Sequence, residues 1–187
     1  TSYKGILSTE DIVENAAKQA KKLKEKGADI IVALAHSGIG TENPTTKADN
    51  ASYALTKIDD IDVVLCGHLH RDFPSDNPKS AAYYELSGVD KETGLANGKN
   101  LIMAAAFGNS IGIADLTLEK VDGNWKIIDR KSTIEKISSD IEPDKDVNEN
   151  YMGTMDSLMV SNYSTILGEI EKGESYQTYF GMLQFKL

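Results

Sequence analysis

Two short apolar runs constrain this chain more than anything else in it. Ile30-Ile31-Val32-Ala33-Leu34-Ala35 and Ile61-Asp62-Val63-Val64-Leu65-Cys66 are β-branched, nearly free of charge, and each ends in a loop that opens on histidine. Continuous runs of this kind, without polar alternation, predict strands covered on both sides. Between them lies a helical pattern over 48–57, with Ala51, Ala54, Leu55 and Ile58 on one face. Strand, helix, strand in that order predicts a right-handed βαβ unit with a parallel strand pair. Ligands in such sheets bind beyond the carboxyl ends of the strands.

The chain has only three histidines, and all of them fall at those ends. His36 follows the first run in Ala35-His36-Ser37-Gly38. His68 and His70 follow the second in Gly67-His68-Leu69-His70-Arg71-Asp72-Phe73-Pro74. If residues 67–70 are extended, alternate side chains share one side and His68 and His70 enter one pocket, with Gly67 making the sharp turn. Neutral imidazole is the commonest metal ligand and suits zinc, manganese, iron or cobalt. His36, His68 and His70 are therefore the candidate metal ligands, either of a three-ligand mononuclear site or as part of a dinuclear one. No other side chain is a catalytic candidate. Asp49 and Asn50 read as helix caps, Arg71 as a surface residue, and Tyr151, Tyr163, Tyr176 and Tyr179 as packing aromatics of a terminal helix.

The rest of the chain reads as support. A helix is expected over 9–26, capped by Ser8 or Thr9, with Ile12, Val13, Ala16, Ala20 and Leu23 inward and Gly27 as its stop. Residues 71–80 and 88–100 read as loops. Strands are expected at 82–86, 101–106, 110–118 and 124–134, an antiparallel half with a hairpin turn at Asp122-Gly123-Asn124. A long helix over 145–163 and a linker over 164–187 close the chain. At 187 residues it fits one domain of ordinary size. The formal charge of −9 argues against a nucleic-acid polymer as partner, though not against a small phosphate ester. The single cysteine, Cys66, excludes a disulfide framework and a thiolate zinc site, and sits where a small core hydrophobe would. No stretch approaches the ~20 apolar residues of a membrane helix.

Ala35-His36-Ser37-Gly38 and Gly67-His68-Leu69-His70 together resemble the last two motifs of the calcineurin-like metallophosphoesterases. More narrowly, residues 36–42, Asp49-Asn50-Ala51-Ser52-Tyr53-Ala54-Leu55, residues 67–74 and Phe107-Gly108-Asn109-Ser110-Ile111-Gly112 resemble the exported bacterial 2′,3′-cyclic-nucleotide 2′-phosphodiesterase/3′-nucleotidases of the 5′-nucleotidase superfamily. The resemblance implies an α/β fold: the C-terminal half of a four-layer α/β/β/α sandwich, with a mixed sheet formed by a βαβ unit and then antiparallel strands. Residues 1–137 would be a partial metallophosphoesterase domain. Residues 138–187 would be a terminal helix and linker, with Ser175–Phe180 leading toward a nucleotide-binding domain.

It implies two divalent ions (Mn, Zn, Fe or Co), with His36 and His68 on one and His70 on the other. It also implies a nucleotide substrate and a periplasmic, cell-wall or extracellular location. The family's Asp-x-His, bridging Asp and Asn-His motifs have no counterpart before His36. The expectation is therefore a fragment of a phosphoesterase, with no catalytic residue of its own, little turnover and room for pairing with a second copy. The readings left beside it are a 5′-nucleotidase or another nucleotide phosphohydrolase of the superfamily, and a non-catalytic α/β binding module.

Overall fold

The computed structural model describes residues 8–142 and 144–147. The chain divides into two units, residues 1–138 and 139–187. In the second, the described residues include one helical turn, Lys145–Val147, whose start is held by Val147 N–H donating to Asp144 Oδ1 at 2.9 Å. Nearly all of the expected 145–163 helix and the whole 164–187 stretch lie outside the described residues.

The first unit opens with helix α1 (Ile12–Glu25). Its cap is Asp11 rather than Ser8 or Thr9. The Asp11 carboxylate accepts from the backbone of both Val13 (2.9 Å) and Glu14 (3.1 Å), and its charge suits the helix start. The Lys47 N–H, donating to the same carboxylate at 2.6 Å, does most to hold the Asp11 carboxyl below the usual carboxylate range, and the Glu14 and Val13 N–H groups add to it. Gly27, at φ 91°, stops the helix as expected. Gly27 N–H donates to Lys24 O and Ala28 N–H to Leu23 O, the paired bonds of a left-handed C-terminal cap.

Strand β1 (Val32–Ala35) and strand β2 (Val63–Cys66) pair in parallel with Val32 opposite Val63 and Ala35 opposite Cys66. The helix between them is shorter than expected, a single turn α2 (Ser52–Leu55). Residues 49–51 are instead bonded to the loop after β1, and Thr56, Lys57 and Ile58 continue in tighter i→i−3 bonds.

The expected strand at 82–86 is a 3₁₀ helix, Pro78–Glu85, with Asn77 as its cap and Pro78 at its first position. Residues 88–100, expected as loop, carry β3 (Val89–Asp90), β4 (Leu95–Ala96) and the start of β5 (Lys99–Met103). The β4–β5 turn is Asn97-Gly98, with φ 50° and 71°, the hairpin geometry that Asn-Gly favours. β5 also departs from the antiparallel expectation, since it lies parallel to β2 with Cys66 opposite Met103. The sheet order is β1-β2-β5-β4-β3: three parallel strands, then two antiparallel ones.

A separate ribbon pairs β6 (Ser110–Val121) with β7 (Asn124–Lys136) through the expected turn at Asp122-Gly123. It packs on β5. Gly112 lies so close to Ile102 that a Cβ there would sit 2.3 Å from Cγ2, and the buried Asn100 donates to Lys131 O and Ser132 Oγ.

The core gathers Ala20, Ile31, Ile39, Tyr53, Leu55, Ile61, Val64, Phe73, Leu101 and Met103 between these elements. One expectation about it fails. β1 is covered on one face only: Ala33 and Ala35 pack on the core, whereas Val32 and Leu34 are 47% and 80% exposed. β1 is the edge strand of its sheet, and its outer side borders an open cleft of about 730 Å³ shared with α1.

Candidate metal centre

The parallel register brings the ends of β1 and β2 level, and a three-residue turn follows each. Ser37 N–H bonds Ala35 O (2.8 Å) across His36, and Leu69 N–H bonds Gly67 O (2.8 Å) across His68. Gly67 N–H donates to Ser37 O at 3.2 Å, tying the two turns together. The imidazoles of His36 and His68 meet edge to face, with ring centroids 5.3 Å apart and planes at 71°. His70 points elsewhere. Its ring meets that of Phe107, just past β5, at 5.8 Å and 66°.

Three neighbouring parallel strands thus deliver His36, then His68 and His70, then Phe107 at one edge of the sheet. All three imidazoles are exposed. They do not converge on one point, and among the described residues no trio of His, Cys, Asp or Glu side chains does.

The backbone after β2 differs from the extended segment expected there. His68 has φ 71° and His70 φ 54°, both left-handed, while Gly67 is not and has open space around its Cβ position. The sharp turning is done by the histidines themselves. Left-handed backbone at a non-glycine residue costs of order 1 kcal/mol or more, and it persists only where the surroundings impose it.

Those surroundings are two sets of buried polar anchors. The first holds the loop after β1. Ser37, 1% exposed, donates through Oγ to Asp49 O (2.7 Å) and accepts from Ala51 N–H (2.9 Å), while Ser52 Oγ donates to Ser37 O (2.9 Å). Asn50 is no helix cap. Its Oδ1 accepts from Gly38 N–H at 3.1 Å. A Cβ on Gly38 would lie 2.3 Å from that oxygen and 2.5 Å from Leu69 Cδ1, so only glycine lets the two loops close on each other.

The second anchor is Asp72, which the sequence reading passed over. Its carboxylate is 4% exposed and accepts from Ala105 N–H (3.0 Å), Ser110 Oγ (2.5 Å) and the Lys136 ammonium. Burial pushes its carboxyl up, but the bonds from Lys136, Ser110 and Ala105 outweigh it and leave it below the usual carboxylate range. Next to it, Phe73 exchanges both backbone bonds with Met103 (2.8 and 2.9 Å), and the Phe73–Pro74 peptide is cis. The His68–Asp72 loop is therefore clamped to the ends of β5, β6 and β7. An acidic residue directly before a Phe-Pro pair was the available signal.

The remaining candidates are structural. Arg71 donates to Lys79 O on the surface. Burial pushes the Cys66 thiol up to about 12, which keeps it unreactive. Tyr151, Tyr163, Tyr176 and Tyr179 lie outside the described residues.

The calcineurin-like phosphoesterase family model matches residues 2–72, the stretch carrying all three histidines and Asp72. That stretch is part of a calcineurin-like phosphoesterase domain. It is 40% identical over 141 residues to the trifunctional nucleotide phosphoesterase protein YfkN of Bacillus subtilis, covering 75% of this chain and 9% of that protein. It is 32% identical over 128 residues to the 2′,3′-cyclic-nucleotide 2′-phosphodiesterase/3′-nucleotidase of Salmonella typhimurium, covering 68% of this chain and 19% of that one. The crystal structure of YfkN superposes with a TM-score of 0.72 at 36% identity, over 80% of this chain and 44% of the solved one. The mixed α/β fold is that of part of a calcineurin-like phosphoesterase domain. The chain spans about a tenth to a fifth of the length of these two relatives.

Proposed function

We propose that this chain is part of a metal-dependent phosphoric ester hydrolase acting on 2′,3′-cyclic nucleotides and 3′-nucleotides. In it His36 and His68 hold one divalent ion and His70 another. The observation that carries the reading is the pair of exposed imidazoles 5.3 Å apart at the ends of adjacent parallel strands. Relatives named as nucleotide phosphoesterases support the substrate class.

The donor set fits such ions in part. It offers neutral nitrogen on rigid strand ends, with no carboxylate among the described residues close enough to complete a trio. When bound, divalent ions supply Lewis-acid polarisation of a phosphoryl oxygen and raise the acidity of water. This chain's own residues do the positioning. Ser37, Asn50 and Gly38 fix the His36 turn, and Asp72 fixes the loop that bears His68 and His70. With so partial a donor set, the chain by itself turns over slowly or not at all. An exported location accompanies this reading; among the described residues no helix is long and apolar enough to cross a membrane.

Metal content after dialysis, measured by mass spectrometry, tests the assignment. His36→Ala and His68→Ala should each remove the same ion, and His70→Ala a different one. A folded chain that takes up no manganese, zinc, iron or cobalt would favour a non-catalytic α/β binding module. Hydrolysis of bis-p-nitrophenyl phosphate by the chain alone at rates typical of enzymes would refute the partial-site reading.

A further inference from the structure

The Ser37–Gly38 peptide lies between the His36 turn and the His68 turn, and both of its polar groups are bonded. Its carbonyl, Ser37 O, accepts from Ser52 Oγ at 2.9 Å and from Gly67 N–H, just before His68, at 3.2 Å. Its N–H, that of Gly38, donates to Asn50 Oδ1 at 3.1 Å. The Asn50 carboxamide, this peptide and the Gly67 N–H therefore form one hydrogen-bonded chain through a single peptide plane. In such a chain each bond polarises the next, and a plane held at both ends resists rotation.

The course of the loop after β1 does not rest on the Asn50 side chain. Ser52 N–H donates to Gly38 O (3.0 Å), Tyr53 N–H donates to Ile39 O (2.8 Å), and Ser37 Oγ bonds both Asp49 O and Ala51 N–H. Nor does Asn50 cap α2, whose cap position is Ala51 with no side-chain bond. Asn50 is half-buried and stands outside the core. What its carboxamide contributes is the hold on the Gly38 N–H.

We propose that Asn50 is a positioning residue for the divalent ion shared by His36 and His68. It fixes the Ser37–Gly38 plane and, through Gly67, the relative placement of two turns whose imidazoles stand 5.3 Å apart. The inference rests on the phosphoesterase reading above and its assignment of that ion. His70 lies outside this chain of bonds, so Asn50 acts on one ion and not on the other. Groups that orient metal ligands at one remove contribute about 10–100-fold to metal affinity.

The test uses the full 187-residue chain, titrated with zinc while nuclear magnetic resonance follows each imidazole separately. In Asn50→Ala the midpoints for His36 and His68 should rise together by about tenfold or more, and that for His70 by less than about twofold. Asn50→Asp, which keeps an acceptor for the Gly38 N–H, should bind zinc at these two histidines at least as tightly as the native chain. Without metal, amide exchange at Gly67 should be faster in Asn50→Ala, with the circular dichroism spectrum native. Unchanged midpoints in Asn50→Ala, or an equal rise at all three histidines, would overturn the inference and leave the metal assignment standing. If zinc moves neither His36 nor His68 in the native chain, that assignment falls and takes the inference with it.

Discussion

Replacing Asp72 by alanine tests whether the loop bearing His68 and His70 is held by a buried carboxylate. The substitution removes an acceptor for Ala105 N–H, Ser110 Oγ and the Lys136 ammonium. Ala105 N–H keeps a second acceptor in Ser110 Oγ at 2.9 Å, so its loss is about 1 kcal/mol rather than a full desolvation penalty. The Ser110 hydroxyl is 7% exposed and loses its charged acceptor, which costs about 1.5 kcal/mol. Lys136 is 62% exposed, so water replaces most of that ion pair, at about 0.5 kcal/mol. The total is about 3 kcal/mol, a large share of the ~5–15 kcal/mol that stabilises a domain.

Asp72→Asn keeps one oxygen for Ala105 and Ser110 and gives up only the ion pair, so it should cost about 1 kcal/mol. Urea unfolding followed by circular dichroism reads both variants, with an unchanged m-value as the check that only stability moved. An Asp72→Ala chain within about 0.5 kcal/mol of native would refute the reasoning. So would an Asn variant as unstable as the Ala one, since the hydrogen bonds would then contribute nothing separable from the charge.

Other outcomes follow from the same geometry. His68→Gly relieves a left-handed backbone at an exposed side chain, so urea unfolding should show stability equal to native or up to about 1 kcal/mol higher, even as mass spectrometry shows metal uptake falling. Leu34→Thr, on the uncovered face of β1, should change stability by less than about 0.5 kcal/mol, whereas Leu55→Ala, 1% exposed, should cost about 2–5 kcal/mol in the same assay. Burial holds the Lys99 ammonium below the ordinary lysine value, against the pull of Asp62 and Asp59. The unfolded chain therefore binds that proton more tightly, and stability should rise with pH from the lowered folded value to about 10.4. Lys99→Met should flatten that rise in unfolding curves taken across the alkaline range.

Where the sequence spoke clearly, its signals were local ones that the tertiary structure had no reason to override. Two apolar runs paired in parallel, Gly27 stopped α1, and Asp122-Gly123 turned the ribbon. Asn97-Gly98 was an equally good turn signal, but the strands it joins are so short that residues 88–100 read as loop. The strand expected at 82–86 gave way to a 3₁₀ helix because Asn77 and Pro78 start one just upstream. An apolar run states that a strand needs cover but not which face receives it, which is why the exposure of Leu34 was not legible. The placement of the three histidines just beyond β1 and β2 was legible, because each follows an apolar run. The left-handed backbone of His68 and His70 was not, because the bonds that hold their loop run from Asp72 to partners 33 to 64 residues further on, Ala105 to Lys136.

Those distant contacts bear on how the site works. The imidazoles of His36, His68 and His70 are exposed, while the groups that fix their loops, Ser37 and Asp72, are buried and already hydrogen-bonded. Positioning is thus carried by protein–protein bonds that need no ligand to form. The strained turns at His68 and His70 rest on the scaffold beneath them. A loop held in this way loses little conformational freedom when a ligand arrives, so more of each contact's energy appears as affinity. The same anchor reaches the turn after β5 through Ala105. One buried carboxylate thereby anchors both the loop that bears His68 and His70 and the turn after β5. Loosening it should lower metal uptake at the proposed ligands His68 and His70 together, rather than at either alone.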